Sequence, residues 1–168
     1  MTGSVKQLCA SAMQTAKELG YESVFLSASL ECEAREAGSF LASIARDHQD
    51  SGKSLAIIAG GETVVHLAGH GLGGRNQEIA LSAADGISQC RDTCVFSVGS
   101  DGTDGPTDAA GGICDQDTKA RLRECGTEIK DVLADNDAYH ALGKCDGLIM
   151  TGATGTNVND LTVLLIKR

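Results

Sequence analysis

The strongest constraint on this chain is the regular exchange of two hydrophobic periods along it. Val5, Leu8, Cys9, Ala12, Ala16 and Leu19 recur at helical spacing, and Gly20 then stands where a helix C-terminus is capped. Ser23 to Ala28 is a short apolar run, which reads as a strand. Ala37, Phe40, Leu41, Ile44 and Ala45 return to the helical period, and Ser51-Gly52 turns the chain into a buried strand from Ser54 to Ala59. Gly60-Gly61 reads as the turn of a hairpin whose second strand is Glu62 to Ala68. Ile79, Ala80, Ala83 and Ile87 mark another helix, Cys94 to Gly99 another strand, and residues 117–145 helical pieces with Asp137 as an N-cap. Leu148 to Met150 and Leu161 to Ile166 close the pattern as strands. Such an alternation must lay helices on both faces of a sheet. The expectation is one α/β domain spanning 1–168, a three-layer α/β/α sandwich with a mixed, mostly parallel sheet. Met1 to Ser4 reads as a cloning remnant.

Charge and apolar run length exclude several functions. A net charge of −9 disfavours nucleic acid or an anionic membrane surface as a partner. Leu55 to Ala59 and Leu161 to Ile166 are the longest apolar runs, far short of the roughly 20 residues that cross a bilayer. No basic-then-apolar opening resembles a signal peptide. The 7 cysteines, at irregular spacing, form no disulfide framework and read as reduced thiols packed as small hydrophobes. The expected location is intracellular and cytoplasmic, with a mitochondrial address left open for a longer form.

Glycine marks the candidate site. Of 21 glycines, 12 lie between Gly60 and Gly112, and they concentrate at predicted strand ends, where α/β sheets bind ligands. Three loops stand out: Gly69 to Glu78, Gly99 to Asp108 and Thr151 to Asp160. The first matches G-x-G-x-x-G at Gly69, Gly71 and Gly74 between a strand and a helix, but the acidic partner of a dinucleotide fingerprint is missing. Gly73, Gly74, Arg75 and Asn76 at the helix start fit an anion better. A nicotinamide site and a plain structural turn remain the other readings. Between Leu55 and Thr118 the only basic residues are Arg75 and Arg91, so Arg75 is the one cation these loops offer a phosphate. Phosphoryl transfer uses more positive charge than that, from a metal or another domain.

The second loop carries Asp101, Asp104 and Asp108. EF-hand spacing fails, since loop positions 5 and 12 are Gly105 and Gly112. Asp101, directly after the strand, is the candidate base for a substrate hydroxyl; Asp104 is a candidate Mg2+ ligand; Asp108 suits turn capping. Gly52-Lys53-Ser54 lacks the first glycine of a Walker A loop, Ser100 lacks a nucleophile elbow, and the histidines show no zinc spacing.

Gly60 to Thr63, Gly73 to Glu78, Ser100 to Gly111 and Thr151 to Asp160 resemble the signature blocks of the MOFRL family, the two-domain glycerate kinases; Glu33 to Gly38 and Asn136 to Tyr139 resemble further blocks. Ala153 stands where the family pattern has proline. The resemblance implies ATP- and Mg2+-dependent phosphorylation of D-glycerate, typically to 2-phosphoglycerate, in a cleft between two domains. It carries Arg75, Asp101 and Asn157 over as active-site residues. It also implies an N-terminal domain with a glycine-rich nucleotide region and a lysine, which this sequence does not contain, so the chain on its own is expected to be inactive. On this reading Asp101 accepts or orients the glycerate hydroxyl, and Arg75 stabilises charge on phosphoryl or carboxylate. Asn157 and the Thr154-Gly155-Thr156 backbone hold substrate or phosphate oxygens. A hydroxypyruvate reductase and a non-catalytic anion-binding domain are the alternatives.

Overall fold

The structure, a computed structural model, describes residues 4–168. The elements are α1 (Val5–Glu18), β1 (Glu22–Leu30), α2 (Ala34–Asp47), β2 (Leu55–Gly61), α3 (Arg75–Ile87), β3 (Thr93–Gly99), β4 (Gly111–Asp115), α4 (Thr118–Glu124), α5 (Ile129–Asp135), α6 (Ala138–Gly143), β5 (Leu148–Ile149) and β6 (Asp160–Ile166). Of the segment read as a cloning remnant, Met1 to Gly3 lie outside the described residues. Ser4 caps α1 reciprocally: its hydroxyl accepts from the Gln7 backbone amide at 3.3 Å, and Gln7 Oε1 accepts from the Ser4 backbone amide at 3.0 Å. Gly20 follows that helix at φ +86°, the left-handed geometry expected of it.

The strands form one mixed 6-stranded sheet in the order β1-β2-β6-β3-β4-β5. β2 alternates between its two faces. Ala56 and Ile58 pack under α1 with Cys9, Ala16 and Val163, whereas Ile57 faces the larger core built by α2, α3 and the later helices. Helices therefore cover both faces, as the alternation requires. Small residues (Ala34, Ala37, Ala42, Ala45, Ala83) let α2 and α3 pack closely in that core. Cys9, Cys90, Cys114 and Cys145 are buried, and every cysteine is unpaired. No helix among the described residues is long and apolar enough to cross a membrane.

Two expectations change. Strand directions follow the alternation, with β1, β2, β3 and β5 running one way, but only β1 and β2 are parallel neighbours; every other pairing is antiparallel. The cause is β6, which inserts between β2 and β3 and runs against both. The expected hairpin at Gly60-Gly61 is absent for the same reason. Both glycines belong to β2, paired with Leu161 and Asp160 of β6, and β1 occupies the other edge, so no edge is left for a returning strand. Glu62 to Ala68 is irregular: Glu62 N donates to Leu30 O at the end of β1 at 2.8 Å, and Val64 forms an isolated bridge with Glu33 ahead of α2. Strand β4, a short glycine-led segment, had no readable period.

Candidate functional site

Strand register brings the glycine-rich loops together. Asp160, the first residue of β6, sits opposite Gly61 at the end of β2 and Gly99 at the end of β3. The segments 62–74, 100–110 and 150–159 thus leave the sheet at one end. The last two are stitched to each other: the Ser100 amide donates to Asn159 O at 3.0 Å, Val158 N to Ser100 Oγ at 2.7 Å and Thr154 N to Asp101 O at 3.1 Å. An open cleft of about 800 Å³ lies beside them, walled by Ser29, Glu62, Gly73, Arg75, Pro106 and Asn159 among others.

Arg75 is the cation of that cleft, and it is already engaged. Its Nε and Nη2 donate to Asp160 Oδ2 and Oδ1 at 2.5 and 3.0 Å, and Nη1 lies 3.4 Å from Glu62 Oε1. The bond to Asp160 raises the guanidinium pKa further above its ordinary value, against the cost of burial. A planar fork of this kind fixes direction as well as charge.

Beneath Arg75 the start of α3 is closed off. The Asp104 carboxylate, 2% exposed, accepts from the backbone of Asn76 (3.1 Å) and Gln77 (2.8 Å) and from Asn76 Nδ2 (3.1 Å). It caps the helix from another loop, filling the position an anion would take. Gly74 is required here, because a Cβ on it would lie 2.3 Å from Asp104 Cγ. Burial pushes the Asp104 pKa up to about 6, with the amide bonds pulling it back. Asn76 Oδ1 accepts from Ser97 Oγ at 2.6 Å, and Ser97 Oγ lies 2.8 Å from Thr162 Oγ1.

The G-x-G-x-x-G loop is spent on protein contacts. Ala68 N and Gly69 N donate to Asn136 Oδ1 at 2.8 and 3.0 Å; His70 N, Gly71 N and Leu72 N donate to Asp135 Oδ1, Asp135 O and Asp137 Oδ1 at 2.9, 2.8 and 2.9 Å. A Cβ on Gly71 would lie 2.4 Å from Asp137 Cβ, so this glycine serves close packing. Asn136 holds the turn at φ +56° and donates from Nδ2 to the buried Glu78 Oε1 at 2.7 Å. Burial raises the Glu78 pKa. Asp137 precedes α6 as expected, yet its carboxylate bonds the Leu72 amide and the His140 ring rather than a backbone amide of that helix.

The MOFRL family profile matches residues 55–160, the span holding every one of these loops. The chain belongs to the MOFRL family. It is 49% identical over 170 residues to the D-glycerate 2-kinase of Thermotoga maritima, covering 99% of this chain and 41% of that protein. It is 42% identical over 163 residues to the glycerate 2-kinase of Pyrococcus horikoshii, covering 94% of this chain and 37% of that one. The crystal structure of a Thermotoga maritima glycerate kinase superposes with a TM-score of 0.94 at 50% identity, over 98% of this chain and 41% of that chain. The MOFRL chain thus spans about two fifths of the length of these relatives.

Within the MOFRL domain the anticipated residues separate into groups. Arg75, Gly73 and Gly74 line the cleft. Asp101, partly exposed, does not line the cleft but stands on the loop after β3 whose Gly105 and Pro106 do, a rim where its Oδ1 accepts only from Thr103 N and Oγ1 at 3.0 and 3.1 Å. Thr154, Gly155, Thr156 and Asn157 are exposed on the same rim; the Thr154 hydroxyl is spent on Ser100 O, and Asn157 Oδ1 accepts from Asn159 N at 3.3 Å. Three assignments are corrected. Asn76 is wholly buried with both ends of its amide bonded to protein, so it supports the site from below. Asp104, taken as a metal ligand, caps α3 with both oxygens, and Asp108 instead accepts from Tyr139 Oη at 2.7 Å. Among the described residues no group of at least 3 His, Cys, Asp or Glu side chains is placed to hold a metal ion. Asp160, Glu62 and Asn136 went unnoticed as working residues. The visible signal for Asp160 was an acid at a strand start, and only the register reveals the arginine it meets.

Proposed function

We propose that this domain forms one wall of a glycerate kinase active site whose other wall is supplied by further polypeptide. The observation that carries the reading is a forked arginine at the mouth of an open cleft, in a chain matched along 99% of its length by a D-glycerate 2-kinase 2.4 times as long or thereabouts. Arg75 stabilises negative charge on the transferring phosphoryl group or the substrate carboxylate. Asp101 orients the glycerate hydroxyl and takes up its proton. Thr154 to Asn157 present backbone and amide groups to substrate or phosphate oxygens.

ATP with Mg2+ supplies the phosphoryl group and part of the charge neutralisation in such chemistry. Mg2+ needs only one or two carboxylates beside phosphate oxygens, and the buried Asp104, capping α3 with both oxygens, does not fit that demand. The dinucleotide-like glycines are occupied by Asp135 to Asp137, which favours the kinase over a reductase. One arginine and half a cleft cannot by themselves neutralise a triphosphate or exclude water.

The test is ADP release with D-glycerate, measured on the full-length protein carrying this domain and on residues 1–168 alone. Turnover is expected only from the former. Turnover by the short chain that Asp101→Asn abolishes would defeat the half-site reading, and a full-length protein that leaves D-glycerate untouched would defeat the activity.

A further inference from the structure

Arg75 faces two carboxylates, and they differ in every physical respect. Asp160 has a side chain 5% exposed, at the first residue of β6, with its backbone held between β2 and β3. Glu62 has a side chain 57% exposed, in the irregular segment after β2, and approaches no nearer than 3.4 Å. An exposed pair of that kind contributes little and is screened by salt. A buried, bidentate one is held by both hydrogen bonds and the low local dielectric.

We infer that Asp160 is a positioning residue that sets the direction of the Arg75 guanidinium. The inference rests on the proposed kinase reading for its kinetic consequence, and on the fork alone for its structural one. The fork engages one N–H of Nε and one of Nη2. A guanidinium carries three further N–H groups, both on Nη1 and the second on Nη2. With the Nε edge pinned against β6, those remaining donors are turned away from the sheet, toward Glu62 and the cleft that Arg75 lines. Without the Asp160 carboxylate the guanidinium is free to follow the exposed Glu62 carboxylate instead. Asparagine in its place keeps the shape but sets an NH2 group against one of the arginine donors.

The experiment uses the full-length protein carrying Asp160→Asn, Arg75→Ala and both together. Asp160→Asn is expected to lower kcat about 100-fold while KM for D-glycerate changes less than about threefold, because misdirected charge is lost chiefly from the transition state. In the Arg75→Ala background the same substitution is expected to change kcat less than about twofold, since a residue acting through Arg75 has nothing left to act on. Arg75→Ala and the double variant hold no unpaired arginine, so the comparison of those two stays measurable if Asp160→Asn alone unfolds. The Arg75 Nε–Hε NMR resonance gives a readout free of activity: it is expected to be slow to exchange in the unsubstituted protein and to lose that protection in Asp160→Asn. Unchanged kcat in Asp160→Asn, a further large loss on top of Arg75→Ala, or an unchanged Arg75 resonance would each overturn the inference. Full activity in Arg75→Ala would instead sink the kinase role of Arg75, with the resonance still deciding whether Asp160 directs it.

Discussion

The floor and the rim of this cleft are built from the same kinds of residue and do opposite things. On the floor, Asp104, Asn76, Ser97 and Thr162 form a chain of hydrogen bonds in which every residue is buried. On the rim, Asp101 and Thr154 to Asn157 bond mainly within their own two loops and stay open to solvent. Asp101 and Asp104 are three positions apart in one loop, yet one is a helix cap and the other is left free to act. Burial of a polar group is tolerated only when it is satisfied, so the floor is committed to structure and the rim is available for chemistry. Floor substitutions should therefore cost stability, and rim substitutions activity.

The largest expected effect is on the rim. If Asp101 is the base of the proposed kinase site, Asp101→Asn in the full-length protein is expected to lower kcat about a thousandfold with the melting temperature unchanged, because the substitution keeps its size. Steady-state kinetics beside a thermal melt reads both. A stable variant of normal kcat would reduce Asp101 to a turn former, as its bonds to Thr103 alone would allow.

On the floor the expectation reverses. Asp104→Ala strands the amides of Asn76 and Gln77 and the Asn76 side chain, and is expected to cost about 3 kcal/mol of folding stability by urea denaturation of residues 1–168. A loss below about 1 kcal/mol would mean that water or another group replaces the cap, and the floor is not sealed.

This contrast was half legible in the sequence. Helical and strand periods gave the layers, and glycine density gave the correct end of the sheet. The strand order was hidden, because β6 pairs with segments about 70 and 105 residues away. Nothing local announces such long-range pairings. The same ignorance produced the false hairpin at Gly60-Gly61. Arg75 was visible by elimination, since no other cation lies near the loops. Its partner was not, because Asp160 and Arg75 meet only once β6 lies between β2 and β3. The glycines of Gly69 to Gly74 looked like a ligand loop for a sound reason. Close approach demands glycine whether the approaching group is a phosphate or, as here, the backbone of Asp135.

Acid sharpens the comparison further. The folded pKa of Asp104, about 6, stands above its ordinary value of 3.8, so the folded protein binds this proton more tightly than the unfolded chain does. The contribution is fully present below pH 3.8 and is lost as pH rises through about 6. Between those limits Asp104 is expected to withdraw on the order of 3 kcal/mol of stability, a slope that Asp104→Ala should remove. Urea midpoints from pH 4 to 7 for both proteins isolate it by difference. Identical pH profiles would place the titration elsewhere and show the carboxylate ionised at no cost.

The smallest effect separates two glycines. Gly155 on the rim holds φ +74° with nothing within 4 Å of a Cβ placed on it. Gly155→Ala therefore carries only the left-handed backbone cost of about 1 kcal/mol, much of which the exposed loop can shed by opening locally. Gly71, by contrast, has Asp137 Cβ 2.4 Å from its own imagined Cβ and the Asp135 backbone close behind. Gly71→Ala must push α5 and α6 away from the amides they hold, at about 2 kcal/mol. Urea denaturation of both variants measures the gap directly. Hydrogen exchange locates it: Gly71→Ala is expected to speed exchange at Ala68 to Leu72, and Gly155→Ala only within 151–159. Equal destabilisation by the two would mean that the loop of Gly155 is as tightly tied to the core as the loop of Gly71.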